Sequence, residues 1–225
     1  MKYIVVIDEG TSSTRATVYD ENANAVCMRQ KGLNFQYPQP GWVECSAVEI
    51  WESTREVLYD AVTSSGVPLK DILSIGMTAQ RESVVVWDRA TGEPVYNCII
   101  WLDRRTNACC QELNKDLKNA ENLHNKSGQF ITSFFPPTKV SWILDNVPGM
   151  RERAEKGELC FGTVDTWLFY NMTGKKRHVA EMSNAARTLF FNIHTLEWDD
   201  ELIDIFGVPK SMLPPEILPS DGCFG

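Results

Sequence analysis

The opening of the chain constrains its fold most. Tyr3-Ile4-Val5-Val6-Ile7-Asp8 is apolar and largely β-branched, Ala16-Thr17-Val18-Tyr19-Asp20 alternates, and a polar turn over residues 21–24 leads into Ala25-Val26-Cys27-Met28-Arg29-Gln30. Such runs, separated by turn residues, favour three strands in hairpin order. A helix follows. Ser46-Ala47-Val48-Glu49 has the form of a capping box, with Ser as cap and Glu reaching back. Ile50, Val57, Leu58 and Ala61 continue at helical spacing until Ser65-Gly66. Two further runs, residues 72–78 and 83–87, read as buried strands, and Thr91-Gly92 turns the chain toward another over 96–101. Hairpin strands joined through a helix to more strands predict an α/β fold with a mixed sheet flanked by helices.

The second half is more helical. The pattern predicts one helix over 104–123, a second over 138–146 ended by Pro148-Gly149, and a short charged one over 149–156. A strand near 158–162 leads to a helix ending about Gly174. Asp199-Asp200-Glu201 sets acidic residues at the positive start of a last helix that stops at Gly207. The closing residues 220–225 read as the middle of a loop, so a longer parent protein is expected.

Bulk properties narrow the partners. The net charge of −8 argues against nucleic acid, whose phosphates need a basic face. No apolar run approaches membrane-spanning length, and the N-terminus lacks the apolar core and cleavage site of a signal peptide. The seven cysteines include no C-x-x-C pair, and His124, His178 and His194 are scattered. Reduced structural thiols in a cytoplasmic protein fit this usage, and a histidine-based metal centre is not expected.

Four segments carry polar chemistry. In Asp8-Glu9-Gly10-Thr11-Ser12-Ser13-Thr14-Arg15, a strand-end carboxylate can hold hydrated Mg²⁺. Gly10 permits a sharp turn beside a ligand, consecutive hydroxyl residues can nest phosphate oxygens, and Arg15 can add a charge-assisted contact. A polar hairpin turn explains the same residues, and no Gly-Lys-Ser/Thr follows to make a Walker loop. Arg81 and Glu82 lie between two strands, where they can bind neighbouring hydroxyls of a polyol or form an exposed ion pair of little consequence. Trp101, ahead of Leu102-Asp103-Arg104-Arg105, can pack on a polyol's C–H face, although taken alone it reads as core. Phe134-Phe135-Pro136-Pro137-Thr138-Lys139-Val140-Ser141-Trp142 taken alone is an aromatic loop feeding an amphipathic helix.

Taken in order, these segments resemble the FGGY carbohydrate kinases, the glycerol-phosphorylating members most closely, along essentially the whole chain. Phe161-Gly162-Thr163-Val164-Asp165-Thr166-Trp167-Leu168 and Ser183-Asn184-Ala185-Ala186-Arg187-Thr188-Leu189-Phe190-Phe191-Asn192 are similar to that family too, and Lys139 and Trp142 fit its signature. The resemblance implies an actin-like, ribonuclease-H-like ATPase fold, of which residues 1–225 form the N-terminal, substrate-binding domain and the nucleotide domain is absent. It implies ATP with Mg²⁺ as cofactors and glycerol or a similar polyol as acceptor. Thr11, Ser12, Ser13 and Arg15 would then meet ATP phosphates, and Asp8 would organise Mg²⁺ indirectly. Arg81 and Glu82 would bind polyol hydroxyls, Trp101 would pack on the carbon chain, and Phe134 would be a further substrate-binding position. The family's catalytic base, an Asp in a Gly-Asp-Gln segment, falls beyond Gly225, so the chain alone is expected to be inactive. Homo-oligomers are expected of full-length members.

Three departures from the family pattern matter. Phe134 stands where a glycerol-contacting Tyr is usual, which removes a hydroxyl and leaves open a different polyol or ketose. Pro136-Pro137 replaces a more flexible pair and should stiffen the loop. Glu9 replaces the usual Gln; facing the nucleotide it would repel phosphate, and facing away it would change little. A non-catalytic actin-like binding domain is the reading from another class.

Overall fold

The computed structural model describes residues 1–225, which form two compact units: Met1–Phe35 with Cys45–Gln80, and Gln36–Glu44 with Arg81–Gly225.

In the first unit, strand β1 (Tyr3–Glu9) pairs antiparallel with β2 (Ser13–Asp20), and β2 with β3 (Ala25–Gly32). On its other side β1 pairs parallel with the strand Ile72–Ala79, so the sheet is mixed. A parallel pair needs a long crossover, supplied by helix α1 (Ala47–Ser65). Period-two alternation sends Val5, Ala16 and Val18 to one face, where they bury Val57 and Ala61 of α1. The helix starts where expected, with the Ser46 hydroxyl accepting from the Glu49 amide at 3.3 Å. It ends at Gly66, whose φ of 67° suits a residue without Cβ. The capping box is not reciprocal, however. Glu49 accepts from the backbone and side-chain nitrogens of Asn34 at 3.0 and 2.8 Å, which fastens the segment after β3 to the helix.

The strand Ile72–Ala79 corrects one expectation. It was expected to be buried, yet Leu73 is 64% and Ile75 45% exposed. The reason is position: it is the sheet edge, and α1 packs on β1, β2 and β3.

The second unit is built around the antiparallel pair Val85–Asp88 and Leu159–Gly162, extended by a bridge between Val84 and Ile99. Its core joins Val84, Val86, Ile99, Leu123, Val140, Ile143, Phe161 and Phe190. The strand expected over 96–101 shrinks to Cys98–Ile99. The single helix expected over 104–123 is two, Asn107–Leu113 and Leu117–Ser127. Asp116 restarts the second by accepting from the Asn119 amide at 3.0 Å, while the Asn114 side chain donates to the carbonyls of Cys110 and Ile131. Asn and Asp side chains compete in this way with a continuing helix. Pro136 and Pro137 lie inside the next helix, Pro136–Asn146, at its first turn. There the missing N–H costs nothing and the fixed φ suits the helix, so they start an element rather than stiffen a loop.

Arg105 ties several parts of this unit together. Its buried guanidinium pairs with Glu44 at 2.7 Å and Asp103 at 2.8 Å, and lies 3.9 Å from the Trp42 ring centre and 4.5 Å from that of Trp142. The unit also holds the helices Met150–Glu155, Val164–Met172 and Asp200–Ile205 and two small two-stranded sheets, Val179–Glu181 with Glu216–Leu218 and Phe191–Asn192 with Glu197–Trp198. The seven cysteines are free thiols.

Candidate functional site

The loop between β1 and β2 is short and closed by Gly10 N–H donating to the Ser13 carbonyl at 3.0 Å. A Cβ on Gly10 would stand 3.3 Å from that same oxygen, which favours Gly there. The register sets Asp8 opposite Arg15, and their side chains approach to 3.9 Å while both remain about half exposed. Ser12 is exposed and its carbonyl accepts from the Leu33 amide. The Ser13 hydroxyl accepts from the Gln30 side chain at 2.9 Å. Thr14 points inward and is fully buried. The loop thus offers hydroxyls at Thr11, Ser12 and Ser13 with one guanidinium at Arg15, a composition suited to phosphate oxygens. Asp8 is the carboxylate beside them, and no group of three or more His, Cys, Asp or Glu is placed to hold a metal ion.

Glu9 takes the opposite face from Asp8, as alternation demands, and points into the core of the first unit with 0% exposure. The Gln80 side-chain amide lies 3.3 and 3.4 Å from its carboxyl oxygens and 3.3 Å from the Gly10 carbonyl. Burial pushes its pKa up to about 8, and the Asp8 charge adds to this. Glu9 is therefore largely a neutral acid at neutral pH, facing away from the loop. Of the two orientations the sequence leaves open, the structure shows the inward one, with the carboxyl facing Gln80.

The second cluster lies in the second unit. Arg81 is exposed, whereas Glu82 is 4% exposed. They do not pair with each other. Glu82 Oε1 accepts from Arg187 Nε at 2.5 Å. The Arg187 guanidinium also lies 5.0 Å from the Phe135 ring centre and 5.9 Å from that of Phe134. Glu82 has φ 65°, a left-handed conformation uncommon for a residue with a side chain. Trp101 and Phe134 meet edge to face with ring centres 5.5 Å apart, and the Trp101 amide donates to the Ser83 hydroxyl at 3.1 Å. Arg81, Glu82, Trp101 and Phe134 all belong to this unit, and the last three join through Arg187 and ring contacts.

This arrangement can bind a polyol. A carboxylate offers about four lone-pair positions, of which the Arg187 bond takes one. Arg81 supplies exposed donors, and the two rings supply apolar faces for C–H groups. Sequence reasoning assigned no role to two residues near these groups, Arg187 and Lys139. Arg187 sits in a segment quoted only for its resemblance; a lone Arg among small and aromatic residues was the available signal. Lys139 occupies the buried side of an amphipathic helix, next to core Val140, which was signal enough to ask what a buried amine does there.

Comparison with known proteins places this geometry. The FGGY family of carbohydrate kinases, N-terminal domain, matches residues 3–225. A glycerol kinase 2 of Thermotoga maritima is 50% identical over 225 residues, covering 100% of this chain and 45% of that protein. A glycerol kinase of Bacillus subtilis is 51% identical over 218 residues, covering 97% and 44% respectively. The chain thus spans about half the length of the curated relatives it matches. Among solved structures, Plasmodium falciparum glycerol kinase with ADP superposes with a TM-score of 0.88 at 33% identity, covering 96% of this chain and 43% of that one. The expected actin-like, ribonuclease-H-like ATPase fold is borne out by this likeness. The chain belongs to the FGGY family of carbohydrate kinases.

Proposed function

We propose that the whole protein transfers the γ-phosphoryl group of ATP to a terminal hydroxyl of glycerol, giving sn-glycerol 3-phosphate, and that residues 1–225 are its N-terminal, substrate-binding domain. The observation that carries this reading is the cluster of Glu82, Arg187, Trp101 and Phe134, found in a chain about half identical to proteins named glycerol kinase. Arg81 and Glu82 bind the hydroxyls, and Trp101 and Phe134 take the carbon chain. Thr11, Ser12, Ser13 and Arg15 receive ATP phosphates, with Mg²⁺ reached from Asp8 through water. The metal supplies charge neutralisation, and the residues of this chain supply positioning.

The general base lies outside residues 1–225 on this reading. Asp103 is committed to Arg105 and to the Val43 amide, and Asp165 is buried and accepts from the Thr163 hydroxyl. Neither carboxylate is open to a substrate proton, and on this reading residues 1–225 alone turn over no substrate.

A second reading, a kinase for another polyol or a ketose, rests on Phe134, which offers no hydroxyl. Coupled release of ADP by the full-length protein, with Mg-ATP and a panel of polyols and ketoses, separates the two. Highest kcat/KM with glycerol supports the first reading, and highest kcat/KM with another acceptor replaces it. Turnover by residues 1–225 alone would overturn the placement of the base.

A further inference from the structure

We propose that Lys139 is a positioning residue for the polyol end of the site, its amino group holding the backbones of Glu82 and Phe134 in one arrangement. This rests on the reading that these residues bind the acceptor.

Lys139 is 0% exposed and among the largest fully buried side chains of the chain. A buried lysine is rare and ordinarily has a carboxylate partner. Here Nζ donates instead to two backbone carbonyls, that of Phe134 at 2.8 Å and that of Glu82 at 3.1 Å. Both belong to residues placed in the site on independent grounds, and they come from segments far apart in sequence. A lysine serving packing alone has no reason to converge on these two.

The side chains at both ends of the tie are held by rings and by Arg187, and Lys139 adds a hold on their backbones. Glu82 has left-handed backbone, a conformation that persists in such a residue only where its surroundings hold it. Lys139 holds its carbonyl and Arg187 holds its carboxylate. Phe134 precedes a helix whose first two residues are prolines and contribute no N–H to draw it in. Helical side chains lean toward the N-terminus, which carries Nζ from Lys139 back to the Phe134 carbonyl. The one amine therefore sets the spacing between the acceptor-binding carboxylate and the ring beside Trp101. Glu82, Asp103, Cys98 and Cys110 are the titratable groups nearby, and burial pulls the amine down to about 7 against their influence.

The test uses the full-length protein and Lys139→Met, which keeps the stem and removes the donors. Without ligand, hydrogen exchange followed by mass spectrometry should quicken in the peptides holding Glu82 and Phe134 and stay unchanged in the Leu159–Gly162 strand. With ligand, KM for glycerol should rise at least about tenfold, the loss expected of about 1.4 kcal/mol, while KM for ATP stays within about twofold. In a Glu82→Ala background the same substitution should add almost nothing to KM, since residues acting through one another are not additive. Equal increases in both KM values, additivity with Glu82→Ala, or unchanged exchange would each overturn the proposal. Wild type that turns over no glycerol sinks the functional reading instead, and exchange still decides the tie. Should Lys139→Met not fold, the wild-type Lys139 Cε resonance decides: it should shift on saturation with glycerol and not with ATP, and an unmoved resonance refutes the role.

Discussion

Replacing Glu9 by Gln should stabilise the protein, and by an amount that depends on pH. Glu9 is a buried acid without a cation, facing the Gln80 amide at 3.3 and 3.4 Å. Its pKa is raised from 4.5 to about 8 by burial, with Asp8 adding. In the folded state it keeps its proton at pH values where the unfolded chain has lost it. Between pH 4.5 and 8 the native state therefore binds more protons, and the contribution of Glu9 to stability falls as pH rises. At 1.36 kcal/mol per unit, the cost to folding reaches about 4 kcal/mol at pH 8 and is about 0.4 kcal/mol at pH 4.5. Gln has nearly the same shape and no proton to take up. The Glu9→Gln protein should accordingly unfold at higher denaturant than wild type at pH 8, with the gap closing toward pH 4.5. Denaturation curves of both proteins across this range measure the gap, and the Glu9 carboxyl ¹³C shift reports its titration directly. A constant gap, or a carboxyl titrating near 4.5, would refute the reasoning, because Glu9 would then be solvated.

Other outcomes follow from the second unit. Phe134→Tyr should restore a hydroxyl beside the acceptor; one neutral hydrogen bond of about 0.5–1.5 kcal/mol lowers KM for glycerol by up to about tenfold, read by coupled ADP release. Arg187→Ala should leave the Glu82 carboxylate without its guanidinium partner and raise KM for the acceptor by at least about tenfold, with KM for ATP little changed in the same assay. Glu44→Ala should leave Arg105 buried with one counter-charge and destabilise the protein by about 3–5 kcal/mol, seen as a lower melting temperature.

Local patterns were legible where neighbours in sequence decide them. The β1 and β2 strands, the Ser46 cap and the Gly66 stop follow from alternation and backbone preference, and the structure reproduces them. The burial of the strand Ile72–Ala79 was misread because apolar composition does not say which strand is the edge. The long helix over 104–123 failed because Asn114 and Asp116 make side-chain bonds that helical periodicity ignores. At the site, Arg81, Glu82, Trp101 and Phe134 came from resemblance and from polar residues at element ends. The bonds of Arg187 and Lys139 to Glu82 were opaque because they join residues 105 and 57 positions apart in the chain. Whether Glu82 pairs with its neighbour Arg81 or with Arg187 is a question of backbone direction at a single left-handed residue.

The caged Arg105 also limits how this sequence can change over generations. Glu44, Asp103, Trp42 and Trp142 each supply one wall or one counter-charge to the same guanidinium. Lysine lacks the flat, forked head that fits between two indoles and two carboxylates at once, so the nearest replacement is a poor one. Losing a carboxylate strands a charge, and losing the cation strands two. Viable descendants that abandon the arrangement must alter several of these positions together, and those that change one at a time pass through weakened intermediates. The five positions should therefore be inherited as a block, drifting far less than the exposed residues around them.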